Sequence, residues 1–341
     1  MPESVTIIGD GAMATVCSIL LSQGGHAVTM WGAFEESINR LIQSRENQRL
    51  LPGVKLPRNL RLTANDHECF NAATMVLSAV PTQYMRSVWT RLAPHLPPGI
   101  PIVSVAKGIE NDTLMRPTQV IADALGTTRG SSPKRSLAAL SGPNIAAELA
   151  RYLPATAVAA SDDAELAQQV QSVFSTQWFR VYTNSDVVGT ELAGATKNII
   201  AIAAGILDGL SAGNNAKAAL VTRGLVEITR LGMAMGARES TFQGLAGLGD
   251  LITTCVSPEG RNRAVGEQIG KGKKLADILG SMDSVAEGVP TTKSVRELSR
   301  RYNVEMPITQ AVHEVLFENK DVINALTDLM TRQAKAESMM Q

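Results

Sequence analysis

The chain has 341 residues, more than one ordinary hydrophobic core accommodates, so two domains are expected. Its 32 basic and 32 acidic side chains balance, with no basic stripe or acidic tail, which argues against a nucleic-acid partner. Aromatic content is only 4%, with Ala, Gly, Met and Leu abundant, which favours close-packed helices over an all-β sandwich.

Cys17, Cys69 and Cys255 are widely separated and lie in no CxxC or Cys/His cluster, so they read as free thiols, with neither a disulfide framework nor a metal site. A strand starts almost at the first residue, leaving no room for a signal peptide. No apolar run is read as a membrane span. A cytoplasmic protein is the expectation.

In chain order, apolar runs and periodicity predict a strand at residues 5–8, a helix at 12–23 and a strand at 27–31, together a βαβ unit. Further strands are predicted at 74–80, 100–106, 136–140 and 155–160, with helical or loop segments between them. Such alternation implies a largely parallel sheet covered on both faces. The polar stretch at 127–136 reads as a surface loop. Beyond about residue 188 strand signals nearly vanish, and helical patterns follow at 191–210, 216–235, 261–270, 291–302 and 308–317. The expected architecture is a Rossmann-type doubly wound α/β domain, residues 1–189, followed by an all-helical domain, residues 190–341.

The segment "IIGDGAMA" follows the first strand and opens the first helix, matching the G-x-G-x-x-G/A dinucleotide fingerprint. Gly9 permits the tight turn, Gly11 lets a pyrophosphate approach the backbone, and Ala14 allows close helix-to-strand packing. The free N–H groups at the helix start attract phosphate. An acid at the end of the second strand would select NAD, yet that region reads "VTMWGAFEE". Glu35 and Glu36 follow closely and no Arg precedes Arg40, which tilts the cofactor towards NAD over NADP. Both glutamates could equally be a solvated helix start.

Downstream, the helical segment "ELAGATKNIIAIAAGILDGL" carries Lys197 beside an apolar side formed by Leu192, Ala195, Ile199, Ile202, Ile206 and Leu210. Desolvation would lower its pKa and make it a usable general acid, although the periodicity by itself favours a snorkelling lysine. "GLAGLGDLITTC" places Asp250 where it could pair with a lysine or cap a helix. Arg261 and Asn262 follow Gly260 at a helix start, as a phosphate clamp or simply a capped basic helix. Lys107 ends the apolar run "IVSVAK", and the turn Gly142-Pro143-Asn144 falls at the same sheet edge, where open α/β sheets hold ligands. His26, His67, His95 and His313 stand in no comparable context.

The ordered set "MWGAFEE", "LPGVKLPRNL", "SVAKGIE", "ELAGATKNIIAIAAGILDGL", "GDLITTC", "GRNR" and "AEGV" resembles the NAD(P)-dependent glycerol-3-phosphate dehydrogenase family over about residues 5–330. The resemblance implies interconversion of dihydroxyacetone phosphate and sn-glycerol 3-phosphate, supplying glycerol 3-phosphate for phospholipid synthesis. It makes Lys197 the proton donor or acceptor, with Lys107 and Asp250 completing the polar site. Gly142, Asn144, Asn198, Thr254, Gly260, Arg261 and Asn262 would contact the phosphorylated substrate. Ala12, Met13, Trp31, Phe34, Tyr84, Lys107, Ala146, Arg261, Val285 and Glu287 would join Gly9, Gly11 and Ala14 around the cofactor. A homodimer is expected. Two departures stand out: Ala33 occupies a position that is basic in many bacterial members, and Asn144 replaces the usual Ser or Thr. The alternatives are a 3-hydroxyacid or phosphogluconate dehydrogenase of the same architecture, disfavoured by "GDLITTC" and "GRNR", and a dinucleotide-binding protein without catalysis. Retention of Lys107, Lys197, Asp250 and Arg261 argues against the latter.

Overall fold

The computed structural model describes residues 2–127, 135–333 and 337; residues 128–134 of the polar stretch at 127–136 lie outside them. Among the described residues eight strands form one sheet: β1 Ser4–Ile8, β2 Ala27–Trp31, β3 Arg61–Thr63, β4 Met75–Ser78, β5 Ile102–Ser104, β6 Leu137–Ser141, β7 Ala155–Ala160 and β8 Phe179–Asn184. Their order is β3-β2-β1-β4-β5-β6-β7-β8. All neighbours run parallel except β6 and β7, which are antiparallel. Val5 of β1 is in register with Val28 on one side and Met75 on the other, so the chain order reverses at β1. The crevice beyond its carboxyl end is therefore the topological switch point at which such sheets bind ligands.

Helices α1 Ala12–Gln23, α2 Glu35–Ser44, α3 Thr82–Leu92, α4 Pro117–Ala124, α5 Ala146–Ala150 and α6 Ala164–Phe174 cover the sheet. Val16, Leu20 and Leu21 of α1 and Val170 and Phe174 of α6 bury one face; Met85 and Trp89 of α3 and Ile121 of α4 bury the other. This explains the near-continuous apolar runs of the inner strands, which have no solvent face. The edge strand β8 alternates instead, with Phe179 and Val181 buried and Arg180 and Tyr182 exposed. That period-2 pattern was legible in the sequence and escaped the reading above, as did the three-residue β3.

The remaining helices are α7 Val187–Gly209, α8 Gly213–Ala234, α9 Glu239–Gln243, α10 Asp250–Val256, α11 Arg261–Gly270, α12 Leu275–Gly280, α13 Gly288–Arg301, α14 Pro307–Phe317 and α15 Val322–Met330. The axle of this half is α7, packed against α8, α10, α11 and α13. It is buried on every side from Gly189 to Leu207, rather than along the one apolar face that its periodicity suggested. By length and composition α7 matches a membrane span, contrary to the expectation that no apolar run does, yet 89% of its most apolar window is covered by the protein itself. Helix α11 crosses α7 with backbones nearly touching: a Cβ on Gly266 would stand 1.9 Å from the Ile202 carbonyl oxygen. Glycine there is a packing requirement.

Buried carboxylates fasten the elements through helix N-termini, where backbone N–H groups lack partners. Asp186 caps α7 through the Gly189 N–H (2.8 Å) and also accepts from the Arg238 N–H (2.8 Å) and the Thr241 hydroxyl (2.7 Å). Glu191 of α7 accepts from the Thr118 N–H (2.7 Å) at the start of α4 and pairs with Arg116, tying helical half to sheet. Burial raises its pKa while Arg116 and the Thr118 donors oppose that.

Candidate active site

The first component is made of main chain. Gly9 has φ +119°, and a Cβ on it would lie 2.7 Å from the Ala79 carbonyl oxygen, so only glycine passes between β1 and β4 here. Its N–H donates to the Trp31 carbonyl at 2.8 Å, holding the turn against β2. Gly11 is the N-cap of α1 and supplies no side-chain cap, and the space where its Cβ would stand is open for 4 Å. With neither a side-chain cap nor a Cβ at this position, the helix start is left uncovered there, as a phosphate cradle requires. Ala14 is fully buried against the sheet, while Ala12 and Met13 are partly exposed on the first turn. Asn47, unmarked by the sequence reading, donates from Nδ2 to the Asp10 carbonyl (2.9 Å) and the Thr15 hydroxyl (3.0 Å), pinning the turn from the α2–β3 connection. These features fit a dinucleotide pyrophosphate.

The second component is made of side chains from remote segments. A single π-helical turn, Leu245–Gly249, delivers Asp250 into the first turn of α10, with Gly249 as N-cap; Asp250 is not itself the cap. Such turns often occur at functional sites because they re-aim the residue that follows. Asp250 is 1% exposed and joins two lysines: Oδ1 accepts from Lys197 Nζ at 2.6 Å and Oδ2 from Lys107 Nζ at 2.7 Å. Lys107 also donates to the Gly142 carbonyl at 2.8 Å, and Lys197 donates to the Thr254 hydroxyl. The Thr254 hydroxyl in turn donates to the Asp250 carbonyl at 2.7 Å.

Lys197 is 6% exposed, so it does not snorkel; α7 leaves no exposed face for it to reach. Burial pushes its ammonium down to about 8, with Asp250 opposing the shift and Lys107 adding to it. A lysine titrating near neutrality exchanges a proton readily. Two cations on one carboxylate leave the site one positive charge in excess, suited to an anionic ligand. Cys255, fully buried nearby, has its thiol pushed up to about 12 by burial and is no nucleophile.

The flanking residues divide by what they touch. Asn198 donates from Nδ2 to the Lys107 and Gly194 carbonyls (3.2 and 3.4 Å), so its amide N–H groups hold the lysine's main chain. Asn262 is buried, and its Oδ1 accepts from the Gly288 N–H at 3.0 Å, joining the starts of α11 and α13. Arg261 is exposed and donates from Nη1 to the Val285 carbonyl at 2.9 Å, while Gly260 caps α11. Glu287 accepts from the Thr82 N–H at 2.9 Å and its hydroxyl at 3.2 Å, capping α3 from the helical half. Thr82 was not among the residues selected from sequence.

At the sheet edge Gly142 has φ +140°, and Asn144 donates from Nδ2 to the Thr156 carbonyl at 2.9 Å, leaving its Oδ1 available beside Ala146 at the start of α5. Phe34 and Tyr84 are 74% and 57% exposed, at the starts of α2 and α3 beyond β2 and β4. Trp31 differs: its ring is buried and donates from Nε1 to Asp66 at 3.1 Å, so its part in the turn is through its carbonyl. Among the described residues Ser141 Oγ, beside Lys107, is buried without a hydrogen-bond partner and was also not foreseen.

Comparison with known proteins matches residues 4–167 to the NAD-dependent glycerol-3-phosphate dehydrogenase N-terminus and residues 186–327 to the C-terminus of the same family. A glycerol-3-phosphate dehydrogenase (NAD(P)+) 2 of Salinibacter ruber is 48% identical, covering 99% of this chain and 97% of the relative. The Chlorobium limicola glycerol-3-phosphate dehydrogenase (NAD(P)+) is also 48% identical, over 98% and 99% of the two chains. The crystal structure of glycerol-3-phosphate dehydrogenase from Coxiella burnetii superposes with a TM-score of 0.92 at 33% identity, over 97% and 99% of the chains.

Proposed function

The chain belongs to the NAD-dependent glycerol-3-phosphate dehydrogenase family, and from that premise we propose that its two lysines and shared aspartate carry out the family's reaction. The protein is an oxidoreductase interconverting dihydroxyacetone phosphate and sn-glycerol 3-phosphate with NAD or NADP. The observation that carries the site assignment is the single buried carboxylate of Asp250 holding Lys197 and Lys107 at 2.6 and 2.7 Å.

A reduced nicotinamide, when bound, supplies the hydride taken up at C2 of the ketone. Gly9, Gly11 and the first turn of α1 would hold its pyrophosphate. Lys197 donates the proton from Nζ to the C2 oxygen as negative charge develops there, and in the opposite direction accepts it. Lys107 stabilises that oxygen by charge, and Asp250 aims both ammonium groups. Arg261 grips the substrate phosphate at the α11 N-terminus with Asn262 and Gly260, so that binding energy remote from C2 positions the reacting carbon. Burial of Lys197 and Asp250 excludes water from the proton path.

The test is to mix purified protein with dihydroxyacetone phosphate and either NADH or NADPH and follow loss of reduced-nicotinamide absorbance. Consumption with one or both is expected; none with either would sink the reading. The expected boundary at residue 189 falls inside the first turn of α7, which starts at Val187; we further assign the dinucleotide-binding part and the helical part on either side of a division drawn between β8, which ends at Asn184, and α7. Supply of glycerol 3-phosphate for phospholipid synthesis in the cytoplasm accords with the reaction. A homodimer would bury exposed apolar side chains of the helical half, such as Ile252 and Val256 on α10, and light scattering should then give twice the 36.3 kDa chain mass.

A further inference from the structure

The crevice beyond β1 and β2 contains a carboxylate with no part in the scheme above. Sites of this architecture commonly place an acid at the end of the second strand, where it accepts hydrogen bonds from the adenosine ribose hydroxyls. Here β2 ends in Trp31 and is followed by Gly32, Ala33 and Phe34, none of them acidic or basic. Asp10, inside the glycine turn at the end of neighbouring β1, reaches into that place. Its Oδ2 accepts from the Ser37 hydroxyl at 2.6 Å, in the first turn of α2. The same oxygen stands 3.0 Å from where a Cβ on Gly32 would be, so the missing side chain of residue 32 makes room for it. The main chain beneath is pinned by Asn47, as described above. Ser37 occupies one of the carboxylate's several acceptor positions and leaves the others for a ligand.

The surrounding charge points the same way. Glu35 and Glu36 are exposed in the first turn of α2, and Arg40 is paired with Glu36 at 2.6 Å. Arg91 is paired through two nitrogens with Asp66 (2.7 and 2.8 Å), donates to the Ala33 carbonyl at 3.2 Å and lies over the Trp31 ring. Arg40 and Arg91 are thus each already paired with a carboxylate. We propose that Asp10 sets the dinucleotide preference: its carboxylate accepts from the 2′-hydroxyl of the adenosine ribose and repels a 2′-phosphate, so the enzyme selects NAD over NADP. The acid that is missing from β2 is supplied by β1. This rests on the dinucleotide-binding reading of the turn.

The measurement is calorimetric titration of the protein with NADH and with NADPH, independent of turnover. NADH is expected to bind more tightly by about tenfold or more, the effect of a hydrogen bond to a charged group. Asp10→Asn keeps an acceptor for Ser37 but removes the charge, and should narrow that ratio by about tenfold, mainly through gained NADPH affinity. Raising the salt concentration should narrow the ratio for the unmodified protein and leave that of Asp10→Asn little changed, because only a charge repulsion is screened. A ratio unaltered by Asp10→Asn, or equal or tighter NADPH binding to the unmodified protein, overturns the assignment of Asp10 while leaving the cofactor reading intact. Binding of neither dinucleotide overturns the cofactor reading itself. Should Asp10→Asn fail to fold, Ser37→Ala releases the carboxylate from its anchor and should narrow the ratio by a smaller factor; an unchanged ratio in that variant overturns the proposal as well.

Discussion

The glycine turn and the lysine–aspartate centre face the same crevice but are built on opposite principles. The turn is consecutive chain, residues 9–14, and works through backbone N–H groups and the absence of side chains. The centre collects Lys107, Lys197 and Asp250 from a loop beyond β5, the middle of α7 and the start of α10, and works through side-chain charge in a dry interior. A site made of main chain is local and survives most substitutions that leave its geometry alone. A site made of side chains depends on every element that brings them together.

The sharpest break between the two comes from Lys197→Ala. Turnover should fall by about 10²–10⁴-fold, the range for a positioned acid or base, while dinucleotide affinity stays near normal. Steady-state kinetics beside a binding titration measure both, and near-normal turnover would remove Lys197 from its role. The reverse break is Gly9→Ala. A side chain there meets the Ala79 carbonyl at 2.7 Å on a backbone of φ +119°, strain of about 1–3 kcal/mol, so dinucleotide affinity should fall by about tenfold or more. Unaltered affinity would show that the turn does not require glycine.

Arg261→Ala tests the phosphate end of the centre. It should lower kcat/KM for dihydroxyacetone phosphate by about tenfold, the worth of one charge-assisted contact, with little effect on unphosphorylated dihydroxyacetone. An unchanged ratio of the two activities would rule out the clamp. The smallest effect is in pH. Lys197 has its pKa lowered to about 8, so its protonated form is full below that value and is lost as pH rises through it. Ketone reduction, which needs the proton, should decline above about pH 8, and alcohol oxidation, which needs the base, should rise across the same interval. Profiles of kcat that run parallel in the two directions would contradict the assignment.

How much of this was legible in the sequence differs between the two components. The turn could be read because strand, glycine spacing and helix start are contiguous, and Asp10 lay in plain view within it, although which way its carboxylate pointed did not. The fold class followed from alternating apolar runs, since a strand buried on both faces must be apolar throughout. The edge strand β8 was passed over although its alternation was present. Pattern alone offered Lys197 and Asp250 as candidates with bland alternatives, a snorkelling lysine and a helix cap, and favoured the lysine's bland one; only the family resemblance gave them catalytic roles. Asn198, Asn262 and Trp31 could not be resolved into main-chain or ligand contacts, because that depends on which groups their amides and ring N–H meet across the fold.

The sequence by itself determined that a Gly-x-Gly turn would close a βαβ unit and that a helical half would follow, because these depend on local backbone geometry and on the period of apolar residues. Only the tertiary structure decided that α7 is enclosed on every side, and with that the state of Lys197: a lysine on a surface helix keeps its ordinary pKa, whereas one buried against Asp250 and Lys107 gives up its proton near pH 8. Desolvation depends on what lies around a residue in space, and no stretch of chain encodes that on its own.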